Sequence, residues 1–318
     1  MPLFPRAPRF PLYPVFSRYV LTSLFAFSLS AAFAQPALAG VNVVATTQDL
    51  ASLTEAVGGS NVTVSYIARG DLDPHFIDAK PSYMVKLSTA NLLIAVGLDL
   101  EVGWLPSLVT GSRNPKIVAG SLGYLDASTA IKPIEVPSGS IDRSQGDLHP
   151  GGNPHYWMNP ENGRKVARLI EQRLEALDAA HAADYKANLA RFEATLTSKE
   201  AQWTAALAPF RGSAVIGYHP TFDYFADAYG LKVVGFVEPK PGIPPTPKHS
   251  LELAGIARAE GVKYVFVEPY HNPDDARSIA SNSGAKVLSM PTSVGGMTGV
   301  NTYTDLFDTL VRLITTGK

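Results

Sequence analysis

Three histidines lie beside a proline in loops near the ends of predicted strands or helices. His75 and His155 each directly follow a proline, and His219 directly precedes one. Proline restricts its own backbone and that of the residue before it, so less entropy is lost when a neighbouring side chain is held in place. Three imidazoles suit a tetrahedral zinc ion at about 2.0–2.1 Å per nitrogen, whereas manganese favours more carboxylate oxygen. The pattern indicates one shared metal ion, with three separately solvated or hydrogen-bonded loop histidines as the alternative.

The other four histidines have weaker positions for such a site. His149 lies in the segment "GDLHPGG", six residues before His155, and would contact the ion as an accessory or capture metal in passing. His271 lies near a strand end, so a role in the site stays open. His181 and His249 lie at the ends of predicted helices and are not expected to take part.

Short β-rich runs alternate with helical patterns along the chain, and this alternation is typical of parallel α/β sheets. The first series of runs is "VNVVATT", "VTVSYIA", "NLLIAVG" and "KIVAG", the last covering residues 116–120; the second series is "SAVIG", "LKVVGFVE", "VKYVFVE" and "KVLSM". The fold class expected is therefore α/β with two lobes, each a central, mainly parallel sheet flanked by helices.

A long helical segment separates the two series. It begins after Asn159, a good N-cap, with Pro160 in the first helical turn, and it extends to about Leu207 with one break near residues 179–182. We therefore predict an N-terminal lobe over residues 40–178, a connecting helix over 179–209 and a C-terminal lobe over 210–318. Ligands of open α/β sheets bind outside the carboxyl ends of the strands, which places the site in the cleft between the lobes.

The first 39 residues have the layout of a cleaved signal peptide. Arginines precede an apolar stretch of 16 residues, "YVLTSLFAFSLSAAFA", which is followed by the small residues of "PALAG". A transmembrane anchor is the alternative interpretation, but the stretch is short for one. With no cysteine, thiolate ligands and a cysteine-linked lipid anchor are not expected. A net charge of −1 gives no indication of nucleic acid binding, and we expect a soluble, monomeric periplasmic protein without stable membrane insertion.

Five motifs resemble one family of transport proteins. "DPHFIDAKPS", "GNPHYWMNPENG", "GYHPTFDYFADAYGL", "KPGIPPTPKHSLEL" and "GVNTYTDLFDTLV" are similar, in the same order, to motifs of the zinc and manganese substrate-binding proteins of ABC importers, the cluster A-I or TroA-like family. The resemblance implies two α/β lobes joined by one rigid helix, with the ion between them. It places the first three metal ligands on His75, His155 and His219. The third is a glutamate in many manganese-type members, so a histidine here favours zinc.

The chain departs from the family at the fourth ligand, usually an aspartate. The corresponding segment, "KVLSMPTSVGGMTGV", has no acidic residue. Glu268, at the end of "VKYVFVE", is our first candidate; a water molecule or Asp73 are the others. Alternatively, Glu268 caps a loop or pairs with Lys240 or Arg277. The long histidine- and acid-rich loop of the family is mostly absent, because residues 131–154 offer only four candidate ligands: Glu135, Asp142, Asp147 and His149.

These observations predict a periplasmic, high-affinity Zn²⁺-binding protein that delivers the ion to an ABC permease in the inner membrane. Zn²⁺ is the expected ligand, with Mn²⁺ less favoured. A zinc-dependent hydrolase or hydratase with three histidines and a water is the alternative, but no general base or nucleophile motif supports it, and we expect no enzyme activity. A metal-binding adhesin or metallochaperone is a further alternative, which would differ from the transport protein mainly in its partner.

Overall fold

The computed structural model describes residues 5, 7–12, 14, 40–139, 146 and 148–318. The chain divides into one unit over Met1–Leu38 and another over Ala39–Lys318. The predicted signal peptide lies almost entirely outside the described residues, as do Asp142 and Asp147. The two lobes and the candidate site all belong to the second unit.

The N-terminal lobe is built on a four-stranded parallel sheet with the order β2-β1-β3-β4. Its strands are β1 (Val41–Ala45), β2 (Val62–Tyr66), β3 (Leu92–Ala95) and β4 (Tyr124–Asp126). The helices α1 (Gln48–Gly58), α2 (Pro81–Ser88) and α3 (Leu105–Ser112) connect them. All four residues of β3 are buried, as expected for a strand with both faces covered by helices.

The predicted fourth strand over residues 116–120 was wrong. Pro115–Ile117 form a 3-10 turn instead, and β4 begins at Tyr124. The side-chain oxygen of Asn114 accepts a hydrogen bond from the backbone N–H of Lys116 at 3.1 Å. This local cap, together with the missing N–H of Pro115, starts a turn where the residue types alone indicated a strand.

The C-terminal lobe repeats this architecture with the strand order β6-β5-β7-β8, again all parallel. Its strands are β5 (Ala214–Gly217), β6 (Lys232–Phe236), β7 (Tyr264–Val267) and β8 (Lys286–Ser289). The helices are α6 (Asp223–Tyr229), α7 (Pro247–Ala259), α8 (Pro273–Ser283) and α9 (Tyr303–Thr316). The two-lobed α/β fold is therefore confirmed.

Two helices lie between the sheets along the chain. They are α4 (Pro160–Leu177) and α5 (Ala182–Leu207), separated by a 3-10 turn over Ala179–His181. The side chain of Asn159 caps α4 as predicted, accepting a hydrogen bond from the N–H of Glu161 at 2.9 Å. At about 1.5 Å per residue, the 26 residues of α5 span about 40 Å. It contacts both halves: Asn188 donates to the Val57 carbonyl of α1, and Trp203 donates to Asp308 of α9.

One apolar core includes residues of both sheets and of the long helix. Val43 of β1, Phe266 of β7 and Leu196 of α5 belong to it, and none is exposed. Burial of a large apolar side chain contributes about 1.5–3 kcal/mol, so pulling the lobes apart would expose costly surface. We therefore expect the lobes to move little relative to each other. None of the helices in the described part of the chain combines the length and hydropathy of a membrane span.

Candidate metal centre

Three histidines from three separate loops meet between the two sheets. His75 lies in the loop after β2, His155 directly precedes the 3-10 turn Tyr156–Met158, and His219 lies two residues after β5. One ligand atom from each can be chosen so that all three lie within 4.8 Å of one another. Their ring centroids are 5.2–5.3 Å apart in each pair. The structure thus brings together the three residues that sequence reasoning selected; their role as ligands stays a prediction.

Two of these histidines are held by the same local arrangement. The side-chain oxygen of Asp73 accepts hydrogen bonds from both the backbone N–H and the ring Nδ1 of His75, at 3.0 and 2.7 Å. Asn153 does the same for His155, with both distances 2.9 Å. The two segments read Asp-Pro-His and Asn-Pro-His. Each motif places the proton on Nδ1 and leaves the lone pair of Nε2 for a ligand.

His219 receives the equivalent support from another strand. The carboxylate of Glu238, two residues beyond β6, accepts a hydrogen bond from its Nδ1 at 2.8 Å. The N–H of Gly242 donates to the same carboxylate oxygen at 2.9 Å and keeps it in place. A carboxylate or carbonyl oxygen on the second ring nitrogen is the usual support of a metal-binding histidine.

The Nε2 atoms of His75 and His155 are buried and have no hydrogen-bond partner in the described part of the chain. An unsatisfied buried polar atom costs about 1–3 kcal/mol, so the arrangement carries a free-energy cost that a bound cation would remove. Neutral imidazole nitrogens form the donor set that Zn²⁺ takes in proteins. The residues present therefore fit a divalent transition-metal ion.

Burial favours the neutral, metal-binding form of the imidazoles of His155 and His149. It holds the pKa of His155 well below the ordinary 6.5, and the neighbouring imidazoles of His219 and His75 add to this. Burial also lowers the pKa of His149 to about 4, again with help from the nearby histidines. For Asp73, burial acts in the opposite direction, but the hydrogen bond and charge of His75 prevail and its pKa is lowered. Neutral rings with an ionised orienting carboxylate are what a cation site requires.

Glu268, the first candidate for a fourth ligand, does not join the group of three. It is completely buried, and burial raises its pKa to about 8. Its Oε2 lies 4.0 Å from Nε2 of His271. Arg277 pairs with Asp274 at 2.7 Å and not with Glu268. Asp73 orients His75, so its contacting oxygen is already in use. Whether Glu268 ligates an ion stays a prediction.

The segment that follows β8 contacts the N-terminal lobe. The carbonyl of Thr292 accepts a hydrogen bond from Nε1 of Trp157 at 2.8 Å. Asp49 of α1 accepts hydrogen bonds from the hydroxyl of Ser293 and from the N–H of Val294, the latter at 3.0 Å. Where the family resemblance leads one to expect a carboxylate ligand, this chain has an interlobe contact. Trp157 also lies under the site, with its ring 5.4 Å from that of His155.

Sequence reasoning missed Asn153 and Glu238. Asn153 could have been found from the repeated pattern of an acid or amide followed by Pro-His. Glu238 lies in a Val-Glu-Pro tripeptide that occurs again at Glu268. Strand register places both glutamates level with His219, because Gly217 pairs with Phe236 on one side and with Phe266 on the other. The strand-end rule selected Glu268 as a candidate fourth ligand, and the glutamate that contacts His219 is Glu238 on the other neighbouring strand.

Comparison with known proteins identifies the family of this chain. The model of a family described as "Zinc-uptake complex component A periplasmic" matches residues 43–317. A metal ABC transporter substrate-binding lipoprotein of Lactococcus lactis subsp. lactis (strain IL1403) is 26% identical over 254 residues, covering 78% of each chain. The manganese ABC transporter substrate-binding lipoprotein PsaA of Streptococcus pneumoniae has the same identity and coverage.

The zinc-binding protein AdcA of Streptococcus pyogenes serotype M1 is 24% identical over 278 residues, which are 84% of this chain but 53% of AdcA. The chain thus spans about half the length of that relative. Among solved structures, a crystal structure of ZnuA superimposes with a TM-score of 0.73 at 24% identity, covering 87% of this chain and 98% of that one. A zinc-bound ZnuA deletion mutant gives a TM-score of 0.72 at 25% identity, with 87% and 97% coverage.

Proposed function

Because this chain belongs to the family of periplasmic zinc-uptake components, the metal-binding substrate-binding proteins of ABC importers, we propose that it binds Zn²⁺ with high affinity and delivers it to an ABC-type importer. The family is one of transport proteins, so the chain is a binding protein and not an enzyme. The zinc hydrolase alternative is accordingly set aside. Export to the periplasm, with residues 1–39 as the signal peptide, is part of this proposal, as is a monomeric state; several relatives are named as lipoproteins.

The donor set is the observation that supports Zn²⁺ as the bound metal. Among the described residues, the group able to share one ion consists of three histidines and includes no carboxylate. Nitrogen donors favour Zn²⁺ over Mn²⁺, which lies at the weak end of the affinity order of divalent ions. Relatives named for zinc and for manganese both occur, so the choice of metal rests on this chain's own residues.

An open groove beside the site supports loading and release of an ion. It has a volume of about 630 Å³, and its lining includes His75, His149, Asp99 and Trp104. Phe76 and Val102, each 67% exposed, also line it. Of the three clustered histidines, only His75 lines this groove, so we expect it to be the first to meet an incoming ion. Delivery would then use the same opening, with a permease and its ATPase as partners.

The test is isothermal titration of the purified, chelator-treated protein with Zn²⁺ and with Mn²⁺. We expect tighter binding of Zn²⁺, and a loss of binding in His155→Ala because His155 is the most deeply buried of the three clustered histidines. His181→Ala is the matched control, since its ring lies at the junction of α4 and α5 and pairs with Asp178. Affinity should fall at acid pH, because the ligands bind metal only when deprotonated, and since burial holds the pKa of His155 well below 6.5 this ring keeps its metal-binding form at pH 6.5. Tighter binding of Mn²⁺, or unchanged Zn²⁺ binding in His155→Ala, would contradict the proposal.

A further inference from the structure

We propose that His149 supplies a fourth nitrogen to the bound ion, so that this chain holds its metal with four histidines. The inference rests on the proposed function, because it extends the coordination of the same ion. His149 lies in a separate loop segment, before Asn153. Its nitrogen would take the place of the carboxylate ligand that residues 286–300 do not contain.

The position of the His149 ring carries the first part of the argument. Its centroid lies 5.3 Å from that of His75, the same separation that relates the three clustered histidines to one another. A small cavity of about 30 Å³ has His149, His155 and His219 together in its lining. Such a volume is on the order of one water molecule, so the space beside the rings of His149, His155 and His219 has the size of a single ion.

His149 shares an unused ring nitrogen with His75 and His155. Its Nε2 is buried and has no hydrogen-bond partner among the residues that the structure describes. Burial lowers the pKa of this ring to about 4, and the backbone of Leu98, as a hydrogen-bond partner, acts in the opposite direction. A buried, unused Nε2 is also what His75 and His155 have, where Asp73 and Asn153 accept a hydrogen bond from Nδ1.

The backbone that holds His149 is unusual. Gly97, Leu98 and Asp99 all have left-handed φ angles, of +82°, +53° and +63°. Successive left-handed residues other than glycine are strained, and such strain persists where the surrounding structure requires it, often at functional sites. Here the turn that follows β3 places the Leu98 backbone against the His149 side chain. The strain is explained if this contact sets the direction of the fourth ring.

Nε2 of His149 would have to move to join the other three ligand atoms. The group of ligand atoms within 4.8 Å of one another includes His75, His155 and His219 but not His149. His149 lies in a turn closed by the N–H of Gly152 on the His149 carbonyl at 3.1 Å. Gly151 and Gly152 follow it, and Gly152 has a φ of +103° that only glycine adopts readily. These glycines allow the loop to rotate and close the fourth ring over an ion held by the other three.

X-ray absorption of the zinc-loaded protein tests this directly, because imidazole ligands are counted by their multiple scattering. We expect four imidazoles in the native protein and three plus one oxygen in His149→Ala. Competition with a chelator should show zinc binding weaker by about 10–100-fold, since loss of a ligand costs at least as much as loss of an orienting partner. Pro150→Ala is the matched control, because it alters the same loop and keeps every imidazole. Circular dichroism confirms that each variant is folded.

The outcomes separate this inference from the proposed function. Three imidazoles and one oxygen in the native protein, with unchanged affinity in His149→Ala, would overturn the role of His149 while leaving zinc binding intact. Failure of the native protein to bind zinc would overturn both. A weaker affinity in Pro150→Ala equal to that in His149→Ala would assign the effect to the loop and reject the ligand role.

Discussion

His219 and Glu238 are joined by a hydrogen bond of 2.8 Å between Nδ1 and a carboxylate oxygen, although each lies on a different strand end. The register of β5 with β6, in which Gly217 pairs with Phe236, places the two residues side by side two positions beyond the strands. The sheet itself therefore orients the third histidine, whereas the first two are oriented by residues two positions earlier in their own loops.

The contact predicts a graded loss of zinc affinity when Glu238 is changed. Glu238→Ala removes the acceptor and should weaken zinc binding by about 10–100-fold, because the His219 ring loses its fixed direction and tautomer. Glu238→Gln keeps an oxygen acceptor and should lose less. Titration against a chelator measures both. Glu260→Gln, which alters an exposed carboxylate paired with Lys232, is the control, and equal affinities in all three variants would contradict the orienting role.

Asn153 combines two tasks that substitution can separate. Its oxygen orients His155, and its NH₂ group donates to the Pro220 carbonyl at 2.7 Å and to Glu135 at 3.1 Å. Asn153→Asp keeps the acceptor but loses both donors and adds a charge beside Glu135. We expect near-native zinc affinity with lower stability, by about 1–3 kcal/mol.

Asn153→Ala should lose both affinity and stability, since neither the acceptor nor the donors remain. Zinc titration and chemical unfolding of both variants check this pair of outcomes, with the exposed Asn301→Ala as control. If Asn153→Asp bound zinc as weakly as Asn153→Ala, the acceptor would not be what holds His155.

Asp49 makes the stability of the metal-free protein depend on pH. Burial raises its pKa to about 7, from 3.8 in an exposed carboxyl, although Ser293 and Val294 donate hydrogen bonds to it. The folded state therefore binds more protons than the unfolded state between these values, and stability falls as pH rises toward 7. Asp49→Asn abolishes this dependence, so it should be more stable than the native protein at pH 8, by up to about 4 kcal/mol at about 1.4 kcal/mol per pKa unit.

Near pH 3 the Asp49→Asn variant and the native protein should differ little, because this pH lies below both pKa values and Asp49 is then mostly protonated in the folded and the unfolded state alike. Urea unfolding at the two pH values is the measurement. A constant stability difference at both would show that Asp49 does not titrate as described.

Gly70 marks a close approach of the two lobes. A Cβ atom at this position would lie 1.9 Å from the carbonyl oxygen of Val294 and 2.6 Å from the nitrogen of Gly296. Gly70→Ala must displace backbone, so we expect a loss of about 1–3 kcal/mol in the free energy of unfolding. Gly255→Ala is the control, since its Cβ would meet open space inside α7 and the change should be neutral or stabilising. Equal unfolding curves for Gly70→Ala and the native protein would show that the lobes separate easily here.

Much of the architecture follows from local pattern. The alternation of apolar runs and helical segments predicts two parallel sheets, and Asn159-Pro160 predicts the start of α4, because caps and burial act over a few residues. The fourth strand of the first sheet was misplaced because residues 116–120 have strand-like composition. The local cap at Asn114 competes for their backbone hydrogen bonds and starts a turn instead.

The sequence by itself determined which residues are suited to metal binding. Histidine beside proline, after an acid or amide, is a local feature, and it selects His75 and His155 without a structure. Only the tertiary structure decided which residues far apart in the chain contact one another. Glu238 rather than Glu268 contacts His219, Asp49 binds a segment 244 residues away at Ser293, and His149 lies beside His75. These contacts depend on strand register and interlobe packing, in which residues far apart in the chain meet, and no periodicity in the sequence encodes such meetings.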